Sequence, residues 1–180
     1  MPYRGFQTRW AIRPYPRFDR DSVSLLATVQ WCGNKTTRST MANLIYGQED
    51  RLLPWAQERI GVSFRSDAKT IGLERDGELV AVVVFDNFCE TDCNMHIASD
   101  GTASWMSKSL LLSAFAFPFT QLGLLRVTGL VPSDNKLALK FDEHLGFVRE
   151  GFHPKAGPGG KDLVSLGLLR ENCRFVGRDT

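Results

Sequence analysis

The stretch Val127-Thr128-Gly129-Leu130-Val131-Pro132-Ser133-Asp134-Asn135, with its continuation Leu145-Gly146-Phe147-Val148-Arg149-Glu150-Gly151, decides how this chain folds. A run typical of a strand stops at the Pro132-Ser133 turn. Asn135 then stands where a side-chain oxygen can cap the free N–H groups that open a helix. An amphipathic segment follows and ends at Gly146, which suits a left-handed C-cap, with Phe147 as the hydrophobic contact that accompanies such a cap. The spacing predicts a strand over 125–131, a helix over 134–145 and a short strand over 147–151, together one β–α–β unit.

Toward the N-terminus the punctuation stays regular. Asn43-Leu44-Ile45-Tyr46 is a short apolar run, and 49–60 has helical spacing in Leu52, Leu53, Ala56 and Ile60. Pro54 suits an early turn, so that helix starts near Asp50. Asp76-Gly77 between the strand-like runs 70–74 and 79–85 favours a hairpin with a type I′ turn. The second run is apolar on both faces from Val80 to Val84, which predicts a central strand covered by helices on each side. A strand over 92–98 comes next, reached through the Cys89-Glu90-Thr91 turn. The helix over 104–119 has Ser104 as its N-cap, a buried stripe at Leu110, Leu111, Ala114 and Phe115, and Pro118 constraining its end. The Gly157-Pro158-Gly159-Gly160 loop leads into a last strand over 163–169. This order from residue 41 predicts one α/β (α+β) domain whose sheet is partly antiparallel and partly parallel.

With 180 residues, 43% hydrophobic and 23% charged, the chain has the composition of a soluble globular protein, which excludes collagen, coiled coil and wholesale disorder. The longest apolar run, 79–85, is seven residues, against about 20 for a membrane helix. Arg4 and Arg9 near the start, with no apolar h-region, argue against a secretory signal. The expectation is a cytoplasmic protein with no membrane partner. The net charge of +2 divides unevenly, +5 on residues 1–40 and −3 on the remainder. Residues 1–40 read as a basic, Pro/Arg-rich arm and linker, and 41–180 as the folded domain, with Met41 a candidate alternative start. Such an arm contacts phosphates or an acidic partner, is a solvated leader, or is an Arg-rich organelle transit peptide, a reading that Pro14, Pro16, Asp19 and Asp21 weaken. The cysteines at 32, 89, 93 and 173 match no disulfide framework. Cys89-x3-Cys93-x2-His96 lacks the second ligand pair of a structural zinc site, so no metal is expected.

The pattern N-x-x-A-x7-G-F-x-x-E-G is met by Asn135, Ala138, Gly146, Phe147, Glu150 and Gly151. It resembles the GNAT superfamily of acyl-CoA N-acyltransferases, in particular the ribosomal-protein N-terminal acetyltransferase-like branch. The terminal Leu163-Val164-Ser165-Leu166-Gly167-Leu168-Leu169-Arg170-Glu171 is similar to that branch's last strand. The resemblance covers roughly residues 42–175, in element order as well as in motif. It implies a GNAT-like three-layer fold whose mixed, mostly antiparallel sheet is splayed between two parallel strands, here 93–98 and 125–131. In that family acyl-CoA enters the wedge and hydrogen-bonds to the free backbone like an added strand. Its pyrophosphate sits on the N-terminus of the following helix. The resemblance thus implies acetyl-CoA as co-substrate, with contacts from Ile97, Ala98, Ser104, Trp105, Ser107, Lys108 and Asn135. One departure is plain: the family's glycine-rich phosphate loop has Ala103, Trp105 and Ser107 at its glycine places, and Trp105 is no glycine substitute. Lys108 and the hydroxyls of Ser104 and Ser107 could compensate with charge and donors.

The implied reaction is direct attack of a neutral amine on the acetyl thioester in a ternary complex. A base or water relay takes the ammonium proton, and backbone N–H around Ile97 and Ala98 stabilises the oxyanion. Many family members protonate the leaving thiolate with a tyrosine on the last helix, and Asp142 stands there in this chain. Base candidates are His96, Asp92 and Glu90, and Asp142. Histidine has the best ordinary pKa for the task, about 6.5. Strand alternation puts Asn94, His96 and Ala98 on one face and Met95 and Ile97 on the other, and a hydrogen-bonded structural role for His96 stays open. The acceptor is a small amine, a protein N-terminus or a modified base. Nucleic acid, through the basic arm, and a second copy of the chain in a homodimer are carried as further partners. Two other functions remain: a GNAT-like enzyme modifying nucleobases or nucleic acid, and a non-catalytic CoA- or partner-binding module, motivated by Trp105 and the missing tyrosine.

Overall fold

The computed structural model describes residues 42–102 and 105–177, so the basic arm, its linker, Met41 and Ser104 lie outside the described residues. In order the elements are β1 (Ala42–Tyr46), α1 (Glu49–Ile60), β2 (Lys69–Arg75), β3 (Glu78–Asp86), β4 (Asn94–Ser99), α2 (Lys108–Ala116), β5 (Arg126–Pro132), α3 (Lys136–Leu145), β6 (Val148–His153) and β7 (Leu163–Leu169). Asp76 and Gly77 both take positive φ, 51° and 89°, the geometry of the type I′ turn that matches strand twist. One seven-stranded sheet runs β1-β2-β3-β4-β5-β7-β6. Every neighbouring pair is antiparallel except β4 and β5.

Alternation along β3 divides the core between two faces. Ala81, Val83 and Phe85 join Leu110, Ala114 and Phe115 of α2 and Leu139 and Leu145 of α3 on one side. Val82 and Val84 join Leu52 and Ala56 of α1 on the other. The three-layer GNAT-like arrangement is therefore present, with β3 central as its two apolar faces required. No described helix is long and apolar enough to cross a membrane.

The helix boundaries differ from the sequence expectation in ways that bear on the site. Helix α2 starts at Lys108, and its cap is Ser107, whose Oγ accepts from the Leu110 N–H at 3.2 Å. Ser107 itself is extended (φ −113°, ψ 145°), so the helix cannot begin at 104. At the other end Pro118 has no N–H to continue the ladder. The chain widens into a single π-turn, Phe117–Gln121, closed by Leu122 N–H on the Phe117 carbonyl. Helix α3 opens at Lys136, with Asn135 Oδ1 accepting from the Ala138 N–H at 3.1 Å. It closes on Gly146 at φ 112°, and Phe147 packs into the core at 4% exposure.

Candidate active site

The strands β4 and β5 touch at one register position, Asn94 opposite Thr128. There Thr128 N–H donates to the Cys93 carbonyl at 2.9 Å, and the N–H groups of Leu125 and Arg126 both reach the Thr91 carbonyl. Along a strand, N–H and C=O of one residue point to the same neighbour, and the next residue's point to the other. The alternation that turns Cys93 toward β5 therefore also turns Ile97 and Ser99 that way, while Ala98 faces β3, opposite Val82. On β5 the same parity turns Leu130 toward β4. Beyond Asn94 and Thr128 the strands part, and these backbone groups face a gap.

An ionic network seals the closed end. Thr128 Oγ1 donates to Asp92 Oδ2 at 2.7 Å, and Arg126 Nε stands 3.4 Å from the same oxygen. Arg126 also grips Glu150 with both terminal nitrogens, Nη2 to Oε2 at 2.7 Å and Nη1 to Oε1 at 3.3 Å. That hydrogen bond holds the guanidinium pKa above its ordinary value. The pair lies across Gly167 of β7, where a Cβ would collide with Arg126 Nη2 and Glu150 Oε1.

The open end is a cavity of about 840 Å3. Its walls come from β4 (Met95, His96, Ile97, Ser99), β5 (129–132), the start and middle of α3, the C-terminal end of α1 and the β6–β7 loop. Trp105 and Met106, just before α2, complete the rim. Trp105 packs edge-on against Phe141 with centroids 5.2 Å apart. It forms wall rather than filling.

Four charged or titratable side chains line this cavity among the described residues: Arg59, His96, Asp142 and Lys161. His96 Nε2 hydrogen-bonds Asp86 Oδ1 at 2.9 Å, both side chains 16% exposed, and the Phe64 ring meets the imidazole edge-on at 5.1 Å. Arg59 stacks on Trp55 with 3.8 Å to the ring centroid, and Lys161 pairs with Asp134 at 2.8 Å. Asp142 lies on α3 against Gly129, where a Cβ would sit 3.7 Å from Asp142 Oδ2. Burial, and secondarily the neighbouring Glu143, pushes its carboxyl up to about 6. Beside the closed end, burial and then the Asp92 and Asp86 carboxylates push the Cys93 thiol up to about 12, so it stays protonated and non-nucleophilic.

The structure brings His96, Ile97, Trp105, Asn135 and Asp142 to one cavity. Ser107 and Lys108 begin α2 just beyond its rim. Ala98 is not in the wall; its side chain is 3% exposed and packs under α1, and its backbone groups face β3 rather than the gap. Asp92 is not in the wall either, being held in the network at the closed end. Sequence reasoning missed Asp86, whose signal was a carboxylate directly after the apolar run 79–85. It also missed Arg59 and Lys161, which carried no local signal.

No protein-family model and no curated protein matches the chain. Solved structures do match. The spermidine/spermine N-acetyltransferase SpeG from Vibrio cholerae aligns with a TM-score of 0.61 at 16% identity, covering 72% of this chain and 93% of that one. A dodecameric structure of spermidine N-acetyltransferase from Vibrio cholerae, in an intermediate state, gives 0.60 at 15% identity over 72% and 94%. The chain thus shares the fold of these acetyltransferases. At such identities the likeness fixes the architecture and leaves the chemistry to the residues.

Proposed function

We propose that this chain is an acetyl-CoA-dependent N-acetyltransferase that moves an acetyl group onto a primary amine by direct attack in a ternary complex. The split between β4 and β5 carries the reading. Unpaired strand-edge N–H and C=O groups are a template for an added strand, and an extended pantetheine arm would use those of Ile97, Ser99 and Leu130 in that way. Ser107 and Lys108, at the N-terminus of α2, supply N–H groups, a hydroxyl and a positive charge for the diphosphate. The N–H of Ile97, rather than that of Ala98, faces the developing oxyanion.

His96 takes the proton from the attacking amine nitrogen as the N–C bond forms. Asp142 stands where many family members keep a tyrosine, and a carboxyl with a pKa of about 6 holds a proton for the departing sulfur part of the time at neutral pH. Cys93, kept as a thiol, offers no acyl-enzyme route, which favours direct transfer. Trp105 as wall favours catalysis over a non-catalytic CoA-binding module. The motif from Asn135 to Gly151 supports kinship with the ribosomal-protein N-terminal acetyltransferase-like branch. The acceptor is a monoamine rather than a polyamine: Asp142 is the one carboxylate among the described lining residues, which also include the cationic Arg59 and Lys161.

Thermal-shift titration with acetyl-CoA, then free-thiol release with spermidine, phenethylamine and a tripeptide with a free N-terminus, tests this reading. The expectation is saturable stabilisation and amine-dependent thiol release, fastest with a monoamine. No shift at millimolar acetyl-CoA would end it.

A further inference from the structure

We infer that Asp86 and His96 act as a dyad in which Asp86 is a positioning residue: it binds Nε2 of His96 and so leaves Nδ1 as the lone pair that accepts the amine proton. The inference rests on the acetyl-transfer reading and adds to it a residue and a tautomer. A neutral imidazole has one N–H and one lone pair, and a hydrogen bond from one nitrogen to a carboxylate decides which is which. Here Asp86 Oδ1 lies 2.9 Å from Nε2. A carboxylate accepts only, so Nε2 carries the hydrogen and Nδ1 the lone pair.

The fold provides this pairing without a loop. β3 and β4 are antiparallel with Val84 opposite His96 and Asp86 opposite Asn94, so Asp86 and His96 are diagonal neighbours on one face of the sheet. Both sit on ladder strands. His96 lies two residues beyond Asn94, where β4 leaves β5, and it lines the cavity that opens there. Phe64 blocks one side of the ring. The imidazole is thereby fixed by a carboxylate at one nitrogen and by an aromatic edge.

The step balances within the proposed reaction. The amine nitrogen forms its bond to the acetyl carbon and gives up a proton to Nδ1, while the C–S bond breaks and its electron pair stays on sulfur. The imidazolium so formed is stabilised by the Asp86 carboxylate, as in other carboxylate–histidine pairs. Its proton then goes to the sulfur or to solvent. The other charged groups of the cavity, Arg59, Lys161 and Asp142, are not hydrogen-bonded to the ring. Arg59 is bound to Glu58 and the Trp55 carbonyl, and Lys161 to Asp134.

The experiment uses the full chain with acetyl-CoA and whichever amine of the three-member panel turns over fastest. Asp86→Ala should lower kcat by roughly 10- to 100-fold, and His96→Gln by about 100-fold or more, each leaving KM for acetyl-CoA within about twofold. Adding Asp86→Ala to His96→Gln should cost nothing further, since the two act as a unit. Asp86→Glu should restore part of the loss, and Asp86→Asn, close in shape, guards against misfolding of the alanine variant. Nitrogen-15 NMR of the histidine rings gives a readout independent of turnover: the Nε2–H tautomer of His96 in the native chain, lost or mixed with the other in Asp86→Ala. An unchanged tautomer, an unchanged kcat or additive losses would each overturn the dyad. A native chain that shows the expected tautomer but no acetyl-CoA binding would overturn the acetyl-transfer reading instead.

Discussion

Where β4 and β5 meet, Thr91, Cys93 and Thr128 share backbone hydrogen bonds, and Asp92, Arg126 and Glu150 lay an ionic network over the neighbouring strands. A few residues further on, the same two strands face each other across a cavity whose walls are mostly apolar. The closed end is redundant, since several contacts hold each group. The open end is sparse, because past Asn94 and Thr128 the described residues give no further β4–β5 pairing and its few polar side chains are each held by a neighbour outside the gap, His96 by Asp86 and Lys161 by Asp134. Substitutions at the open end should therefore change binding and rate with little loss of stability, and substitutions at the closed end should do the reverse.

The largest contrast is expected at Gly129, the first β5 residue past the last pairing. A Cβ there would meet Asp142 Oδ2 at 3.7 Å and Phe147 Cε1 at 4.0 Å, both ordinary contacts. The Cβ itself is therefore accommodated, and in Gly129→Leu the rest of the side chain should occupy space the proposed pantetheine arm needs. Acetyl-CoA affinity should fall by more than about 100-fold, roughly 3 kcal/mol, while the melting temperature stays within a few degrees of the native value. Calorimetric titration against differential scanning separates the two. An undiminished affinity would mean the thioester does not pass between these strands.

Asp142 predicts a smaller effect of unusual sign. Its folded-state pKa is raised from 3.8 to about 6 by burial, so the folded chain holds a proton that the unfolded chain has already released. Stability falls as pH rises through the window from about 4 to 6 and carries a constant penalty above it. Asp142→Asn should remove that penalty. It should stabilise by about 1–2 kcal/mol at pH 7.5, less than the full shift implies because the group is partly solvated, and by nothing at pH 4. Urea unfolding at the two pH values measures the difference, and equal effects at both would show that burial of the charge is not the cause. A gain in stability joined to a loss of turnover would mark Asp142 as retained for the reaction.

The contrast between the two ends also explains what could be read beforehand. Periodicity and punctuation located the strands and helices, because each rests on local rules: Asp76-Gly77 for the turn, Asn135 and Gly146 for the ends of α3. Ser107 displaced Ser104 as the cap of α2, a choice between two serines that depends on the backbone conformation between them. The Asp86–His96 contact was not legible, since alternation assigns each residue a face but not the register across the 87–93 turn. The parity that separates Ile97 from Ala98 needed the Cys93–Thr128 hydrogen bond as its reference point. Arg59, Lys161 and Asp142 come from distant segments, and only the packed fold brings them to one cavity.

Gly167 offers the smallest and most local test of the closed end. It sits on β7 beneath the Arg126–Glu150 pair, and any Cβ would push the tips of both side chains aside. These tips belong to flexible side chains, so Gly167→Ala should be absorbed by their displacement rather than by the backbone. Arg126 then loses its grip on Glu150, and Asp92, whose Oδ1 already has no hydrogen-bond partner, loses part of its counter-charge. Arg126 and Glu150 are about a third exposed or more, and pairs of that kind contribute little. The expected destabilisation is about 1 kcal/mol or less, with acetyl-CoA affinity unchanged. The same loss should nearly vanish in an Arg126→Met background, since the pair that alanine disturbs is already gone. A Gly167→Ala variant that kept its stability but lost acetyl-CoA would show instead that the network and the wedge are mechanically coupled, and the division between a closed, structural end and an open, functional one would not stand.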